Sequence, residues 1–441
     1  MEVIMRKRFL GIILTMAAAL SITACGGSGS AQTATSAVAA PESQTDGNTA
    51  GGNKADGVGA EESRTEETRA EDGRTEENKT EGTRESAASD GTVKKILWTH
   101  AGDLEAQKGS DKNIGTAGLL NGVSGGYVIA GGGANFPQGG PETGGPKVYY
   151  PDLYVMKPED GSLTLVNHTT MGYEIGYGAS ITAPEGIYYI GGSPVEGKGD
   201  KIMLVKADEK GEVTLEEIGK LPFTFSDGAA VLKDRVIYVG AGKQDGKASN
   251  KFYAFDLDTK ETTELAPVPG EETRTQCVSQ VLDGRIYVFS GGDAVAYTDG
   301  YSYDIEKDQW EKAADIAIEG RYISLLGAGS VKISDTEMLV IGGFDKEVYD
   351  NAVAKMAELK DDALAEFKMG YFGADPSELK WNKKILIYNA RENAWSTVGE
   401  VPFDAPCGEG LVLNGDYIYS INGEIKPGTR TSRMYGGMLV R

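Results

Sequence analysis

A glutamate and an arginine six residues apart, Glu424 and Arg430, occupy the string Ile421-Asn-Gly-Glu-Ile-Lys-Pro-Gly-Thr-Arg-Thr431. A carboxylate can carry a proton between two oxygens of a bound molecule. A guanidinium can hold a carboxylate through two parallel N–H bonds, which a lysine cannot do. A proton carrier and an anion clamp on one short loop point to chemistry on an acidic small molecule. The same pair could instead be a structural ion pair at a corner of the fold. Lys426 and Pro427, between them, read as loop architecture.

The elements that must position this pair are visible as a repeat. Apolar runs end in a glycine pair at Tyr127-Val-Ile-Ala-Gly-Gly132, Ile187-Tyr-Tyr-Ile-Gly-Gly192, Ile286-Tyr-Val-Phe-Ser-Gly-Gly292 and Met338-Leu-Val-Ile-Gly-Gly343. Weaker copies are Val236-Ile-Tyr-Val-Gly-Ala-Gly242 and Tyr417-Ile-Tyr-Ser-Ile-Asn-Gly423. Successive marks are 60, 49, 51, 51 and 80 residues apart. Short β-rich runs with a period near 50 residues indicate propeller blades of the kelch type. Six marks give an all-β, six-bladed propeller over residues 93–441.

Trp310 is followed six residues later by Ile316, Trp395 by Val401, and Trp98 by Leu104. The Trp98 copy has no glycine mark before it and reads as an orphan fourth strand. The last unit, ending at Met434 to Val440, has no room for a fourth strand. The two are expected to complete one blade and shut the ring, which removes an open sheet edge. The long spacing of 80 residues is explained by an insertion in blade five, about 351–383. There Val353, Met356, Leu359, Ala363 and Phe367 recur at helical steps, so Asn351 to Met369 is expected to be one amphipathic helix.

Propeller geometry then collects charged loop residues around one channel mouth. Those after the marks are Asn135, Lys243, Asp293, Asp345 and Glu424. Those before the inner strands are Glu174, Asp227, Arg274, Arg321 and Glu409. Arg274 and Arg321, in adjacent blades, join Asn135 and Arg430 as the expected substrate-binding residues, with Glu424 as the expected catalytic one.

The blades, Gly131-Gly-Gly-Ala-Asn-Phe-Pro137 and Gly423-Glu-Ile-Lys-Pro-Gly-Thr-Arg-Thr431 together resemble the cyclically permuted mutarotases, relatives of N-acetylneuraminate epimerase. The resemblance implies interconversion of the α and β anomers of a sialic acid or a close keto-sugar acid. It makes Glu424 the proton-transfer residue and Arg430 a substrate-site residue, with no cofactor. A non-catalytic propeller that binds a glycan or a protein is the competing expectation. A copper radical oxidase would need converging histidines, and the two present, His100 and His168, fall on expected outer strands.

Composition narrows the partners further. The net charge is −22, of which residues 93–441 carry −16, a poor match for nucleic acid or an anionic membrane. Arg6-Lys7-Arg8, the apolar run Phe9 to Leu20 and Ile22-Thr-Ala-Cys25 resemble a bacterial lipoprotein signal with Cys25 lipidated. Export to a lipid-anchored position on the outer face of the cytoplasmic membrane, or to a periplasm, is the expectation. Residues 26–92 are Gly-, Ser-, Thr- and Glu-rich and read as a disordered acidic tether. Contact with membrane is expected only through the lipid, and the protein is expected to be a monomer or weak dimer. Cys277 and Cys407 sit at one point of non-adjacent repeats and are expected as free thiols. No metal-ligand spacing is present, so no metal site is expected.

Overall fold

The computed structural model describes residues 92–193, 199–270 and 273–441. The expected export signal with Cys25, and the segment up to residue 91 expected as an acidic tether, lie outside them. Six four-stranded antiparallel sheets follow one another along the chain. Blade one is Leu120–Ser124, Tyr127–Gly131, Asp152–Glu159 and Ser162–Thr170. Blades two to five span residues 179–220, 229–265, 278–313 and 329–400. Blade six takes Gly410–Asn414, Tyr417–Ile421 and Arg433–Val440 from the end of the chain, and its fourth strand, Lys95–Asp103, from before blade one. That strand pairs from Lys95 opposite Val440 to Asp103 opposite Arg433. The ring is shut as the orphan tryptophan strand requires.

The second strand of every blade is apolar on both faces because it is covered from both sides. In blade one, Val128 and Ala130 pack with Tyr419 and Ile421 of blade six, while Ile129 packs with Ile187 and Tyr189 of blade two. Every pair of consecutive blades shares such a cluster, including blades five and six across Leu339, Ile341, Leu411 and Ile418. Burial of each large side chain contributes about 1.5–3 kcal/mol. The outer tryptophans lock neighbours together. Trp310 of blade four packs on Phe252 of blade three and donates to the carbonyl of Ala266 at 2.8 Å. Trp395 repeats this on Phe289, donating to the carbonyl of Ala314 at 3.4 Å. Trp98 packs edge-on against Phe403, with no hydrogen-bond partner for its N–H among the described residues.

The glycine marks have a steric cause. A Cβ on Gly191 would lie 2.1 Å from the carbonyl oxygen of Phe225 in the next blade, and one on Gly342 would lie 2.1 Å from that of Pro406. Both residues also have positive φ, where side chains are strained.

The insertion differs from the single helix expected. It forms α1 (Lys346–Glu358), α2 (Asp361–Gly373) and α3 (Pro376–Leu379). The helical pattern breaks because Leu359 and Lys360 are extended. The fold back lets Met356 and Ala352 of α1 pack on Phe372 of α2, which one straight helix could not do.

Candidate functional site

Around the channel the six blades meet in a closed ring of backbone hydrogen bonds. The N–H of Tyr177 donates to the carbonyl of Gly118, Asp227 to Tyr177, Gln276 to Asp227, Gly327 to Gln276, Gly408 to Gly327, and Gly118 to Gly408. The lengths run from 2.6 to 3.1 Å. Each residue comes from a different blade and stands two positions before its inner strand. All six have positive φ, between 52° and 74°. Three are glycine; Tyr177, Asp227 and Gln276 are not, and strained side chains of this kind concentrate at functional sites. The glycine half of the collar adjoins the hairpin that carries Glu424 and Arg430.

That hairpin pairs Glu424–Lys426 with Thr429–Arg430, and Glu424 stands directly opposite Arg430. It is tied to the collar by two 2.8 Å backbone bonds between Glu424 and Cys407. Gly428 at the turn has a φ of 80°, and a Cβ there would strike Pro141 at 2.5 Å. Its N–H donates to Glu424 Oε1. Lys426 donates to the carbonyl of Ala374 at 2.9 Å, just past the end of α2. Lys426 is therefore loop architecture, fixing the hairpin to the insertion.

Glu424 Oε1 lies 3.2 Å from a terminal nitrogen of Arg430, whose side chain is 3% exposed. The Arg430 guanidinium lies over the ring of Phe136 at 4.7 Å, and its other terminal nitrogen is 3.5 Å from the Tyr177 hydroxyl. Burial is the largest influence and works against its charge, but the Glu424 carboxylate together with Tyr177 and Cys407 outweighs it, so the guanidinium is held above its usual range. Its Nε is buried without a hydrogen-bond partner among the described residues, and Nη1, the nitrogen beside Glu424, is ion-paired there without hydrogen-bond alignment. Both residues line a cavity of about 830 Å³ that occupies the central channel, ample for a small-molecule ligand. Phe136, Lys147 and Tyr177 line it with them, and Tyr349, Met356 and Tyr371 reach it from the insertion. Burial and then the Glu424 charge raise the Tyr371 phenol, which keeps it protonated.

The other expected residues fall elsewhere. Arg274 is fully buried and grips Asp299 in two bonds of 2.8 and 3.0 Å, stacked over Tyr297. It stands four residues before its inner strand rather than two, so it points into the blade and not the cavity. Arg321 is exposed on a hairpin with Ala317–Ile318 and does not reach the cavity. Asn135 donates to the carbonyls of Ile114 and Gly115 at 3.0 and 2.7 Å and accepts from the N–H of Phe136. It positions the ring that faces Arg430 without lining the cavity. Lys243 pairs with Asp227 at 3.2 Å, and Asp345 caps α1. His100 and His168 are on the fourth strands of blades six and one, where His168 bonds Asp152 at 2.8 Å. Cys277 and Cys407 are free thiols, both raised by burial, Cys277 to about 12.

Glu409, beside the collar, is buried and lines the cavity. It accepts from the Ser420 hydroxyl, while Oε1 has no hydrogen-bond partner among the described residues. Burial pushes its carboxyl up from 4.5 to about 8, against the smaller lowering by Ser420. The fold holds a proton that the unfolded chain releases above its ordinary value. The resulting stability is present at low pH and lost as pH rises toward about 8. Glu409→Gln is neutral throughout. Its melting temperature should gain on the wild type between about pH 5 and pH 8, in thermal scans at both. A difference that stays constant with pH would show that Glu409 is ionised in the fold.

The family model for N-acetylneuraminate epimerase matches residues 219–440, which include Glu424 and Arg430. The N-acetylneuraminate epimerase of Salmonella typhi is 31% identical over 228 residues, covering 49% of this chain and 57% of that protein. The one from Yersinia enterocolitica is 30% identical over 237 residues, covering 50% and 57%. The chain thus spans little more than half the length of the curated relatives it matches. The solved structure of YjhT superposes with a TM-score of 0.42 at 26% identity, over 47% of this chain and 61% of that one.

Proposed function

We propose, from the premise that this chain belongs to the N-acetylneuraminate epimerase family, that it is a mutarotase interconverting the α and β anomers of N-acetylneuraminate or a close keto-sugar acid. The observation that carries this reading is the Glu424–Arg430 pair, 3.2 Å apart, on the wall of a channel cavity of about 830 Å³. Anomer exchange requires a proton to leave the anomeric hydroxyl. The bond from the anomeric carbon to the ring oxygen then breaks, and its electron pair takes up a proton on that oxygen. The anomeric carbon becomes a ketone, turns its other face, and is re-attacked by the same hydroxyl. Protons and electrons balance with no oxidant and no cofactor. Glu424 takes the proton from the anomeric hydroxyl and delivers it to the ring oxygen as the ring opens; at closure it takes that proton back from the attacking hydroxyl and returns it to the anomeric oxygen. Arg430 directs its unsatisfied N–H groups at the carboxylate on the anomeric carbon, which keeps that carbon beside Glu424.

The export signal and acidic tether read from the sequence would place this activity outside the cytoplasmic membrane, where released sialic acids are met. The test is proton NMR of freshly released α-N-acetylneuraminate. Catalytic amounts of protein should speed its approach to the anomeric equilibrium well beyond the spontaneous rate. An unchanged rate in the presence of folded protein would overturn the assignment.

A further inference from the structure

Arg430 has a counter-ion before any substrate arrives, because Glu424 lies 3.2 Å away. Its charge is largely spent within the site. In a chain of net charge −22, an anion entering the channel needs a cation that is not already neutralised. Lys147 meets that requirement. It lines the cavity, and no carboxylate pairs with it among the described residues. Its ammonium is 3.4 Å from the Tyr177 hydroxyl and lies over the Tyr177 ring at 4.6 Å, with the Phe136 ring at 5.9 Å.

Tyr177 joins the two cations. Its hydroxyl lies between Lys147 and the Arg430 nitrogen 3.5 Å away. The backbone of Tyr177 is held in the left-handed region, φ 61°, where three of the six collar positions use glycine. A tyrosine is strained there, and the collar bonds to Gly118 and Asp227 keep it in place. The same Phe136 ring faces both Lys147 and Arg430. The two cations thus share one aromatic wall and one hydroxyl.

We propose that Lys147, held to Arg430 through the Tyr177 hydroxyl, is the second cation of the substrate site and receives the substrate carboxylate together with Arg430. This rests on the mutarotase reading for the identity of the acid, but not on catalysis. Two cations and a phenol converging on one point select a carboxylate over a neutral sugar. They also fix which end of the molecule faces Glu424.

Titration calorimetry of N-acetylneuraminate and of its neutral C1 carboxamide tests the assignment. Lys147→Met keeps a side chain of similar length and removes the ammonium. It should weaken binding of the acid by about tenfold or more and leave the carboxamide unchanged, with a wild-type circular dichroism spectrum. Lys147→Arg should restore most of the loss. Acid binding within twofold of wild type in Lys147→Met, or equal losses for acid and carboxamide, would overturn the clamp. Absence of acid binding by the wild type would overturn it as well. A wild type that binds the acid with this Lys147 dependence but leaves anomer exchange at its spontaneous rate sinks the mutarotase reading and leaves the clamp standing.

Discussion

Glu424→Gln should slow anomer exchange by about a hundredfold to ten-thousandfold, the usual worth of a positioned acid–base group. Binding of N-acetylneuraminate should hold or tighten at the same time. The two effects separate because the substitution removes two things. Glutamine cannot carry the proton, so the rate falls. Glutamine also carries no charge, so the Arg430 guanidinium 3.2 Å away is freed for the substrate carboxylate. The amide oxygen can still accept the Gly428 N–H that Glu424 Oε1 accepts, so the hairpin turn keeps its internal bond. A purely structural ion pair predicts the opposite pattern. In that case the variant loses melting temperature and affinity together, and any rate loss follows the unfolded fraction. Rate, affinity and melting temperature measured on one preparation decide between them. Retained exchange in a stable Glu424→Gln would remove Glu424 from the chemistry.

The position of this pair was legible because the glycine marks report a backbone constraint and not a side-chain preference. Gly191 and Gly342 stand where the next blade's backbone leaves no room for a Cβ, so period and blade number survive in the sequence. Where the constraint relaxes, the mark blurs: Ala241 and Asn422 take left-handed φ of 50° and 57° in the third and sixth copies. The tryptophan spacing was legible for a related reason. Each tryptophan fixes one outer-strand contact, and the residue six positions on, Ile316, Val401 or Leu104, is buried.

Side chains around the channel were harder to read. Charge drew attention to Arg274 and Arg321, but only the residue two positions before each inner strand reaches the collar. Counting back from the strand starts would have selected Tyr177 and Gln276 with Asp227. Lys147 has no repeat signal at all. It comes from the irregular stretch between the second and third strands of blade one, which has no counterpart of equal length in the short-period blades. The helical insertion hid its break for a local reason. Leu359 satisfies the apolar period while adopting an extended cap, and periodicity does not register a single residue's ψ.

Removal of residues 92–104 should cost both the ring and the site. The strand Lys95–Asp103 makes the whole outer edge of blade six. Its loss strips the buried side chains of Val93, Ala101 and Leu104 from two inter-blade clusters, and takes Trp98 off Phe403, which itself stacks on Tyr435 at 4.0 Å. At about 1.5–3 kcal/mol per large apolar side chain, plus a row of lost strand pairings, the deficit is a large fraction of a typical domain's 5–15 kcal/mol. It also leaves Arg433–Val440 as an open edge, which favours aggregation. The effect reaches the chemistry through one short path. Arg433 and Met434 pair with Asp103 and Gly102, and only Ser432 separates them from Arg430 and Thr431 in the chain. Thr431 in turn donates its N–H to the carbonyl of Gly423 at 2.9 Å, so a frayed strand loosens both ends of the Glu424 hairpin. The shortened chain should melt at least roughly 10 °C lower or aggregate on expression. A synthetic peptide of residues 92–104 added during refolding should restore the soluble ring and, with it, anomer exchange. Wild-type stability in the shortened chain would show that the three remaining strands close the propeller unaided. A peptide that restored stability without exchange would break the proposed link between the closing strand and the hairpin.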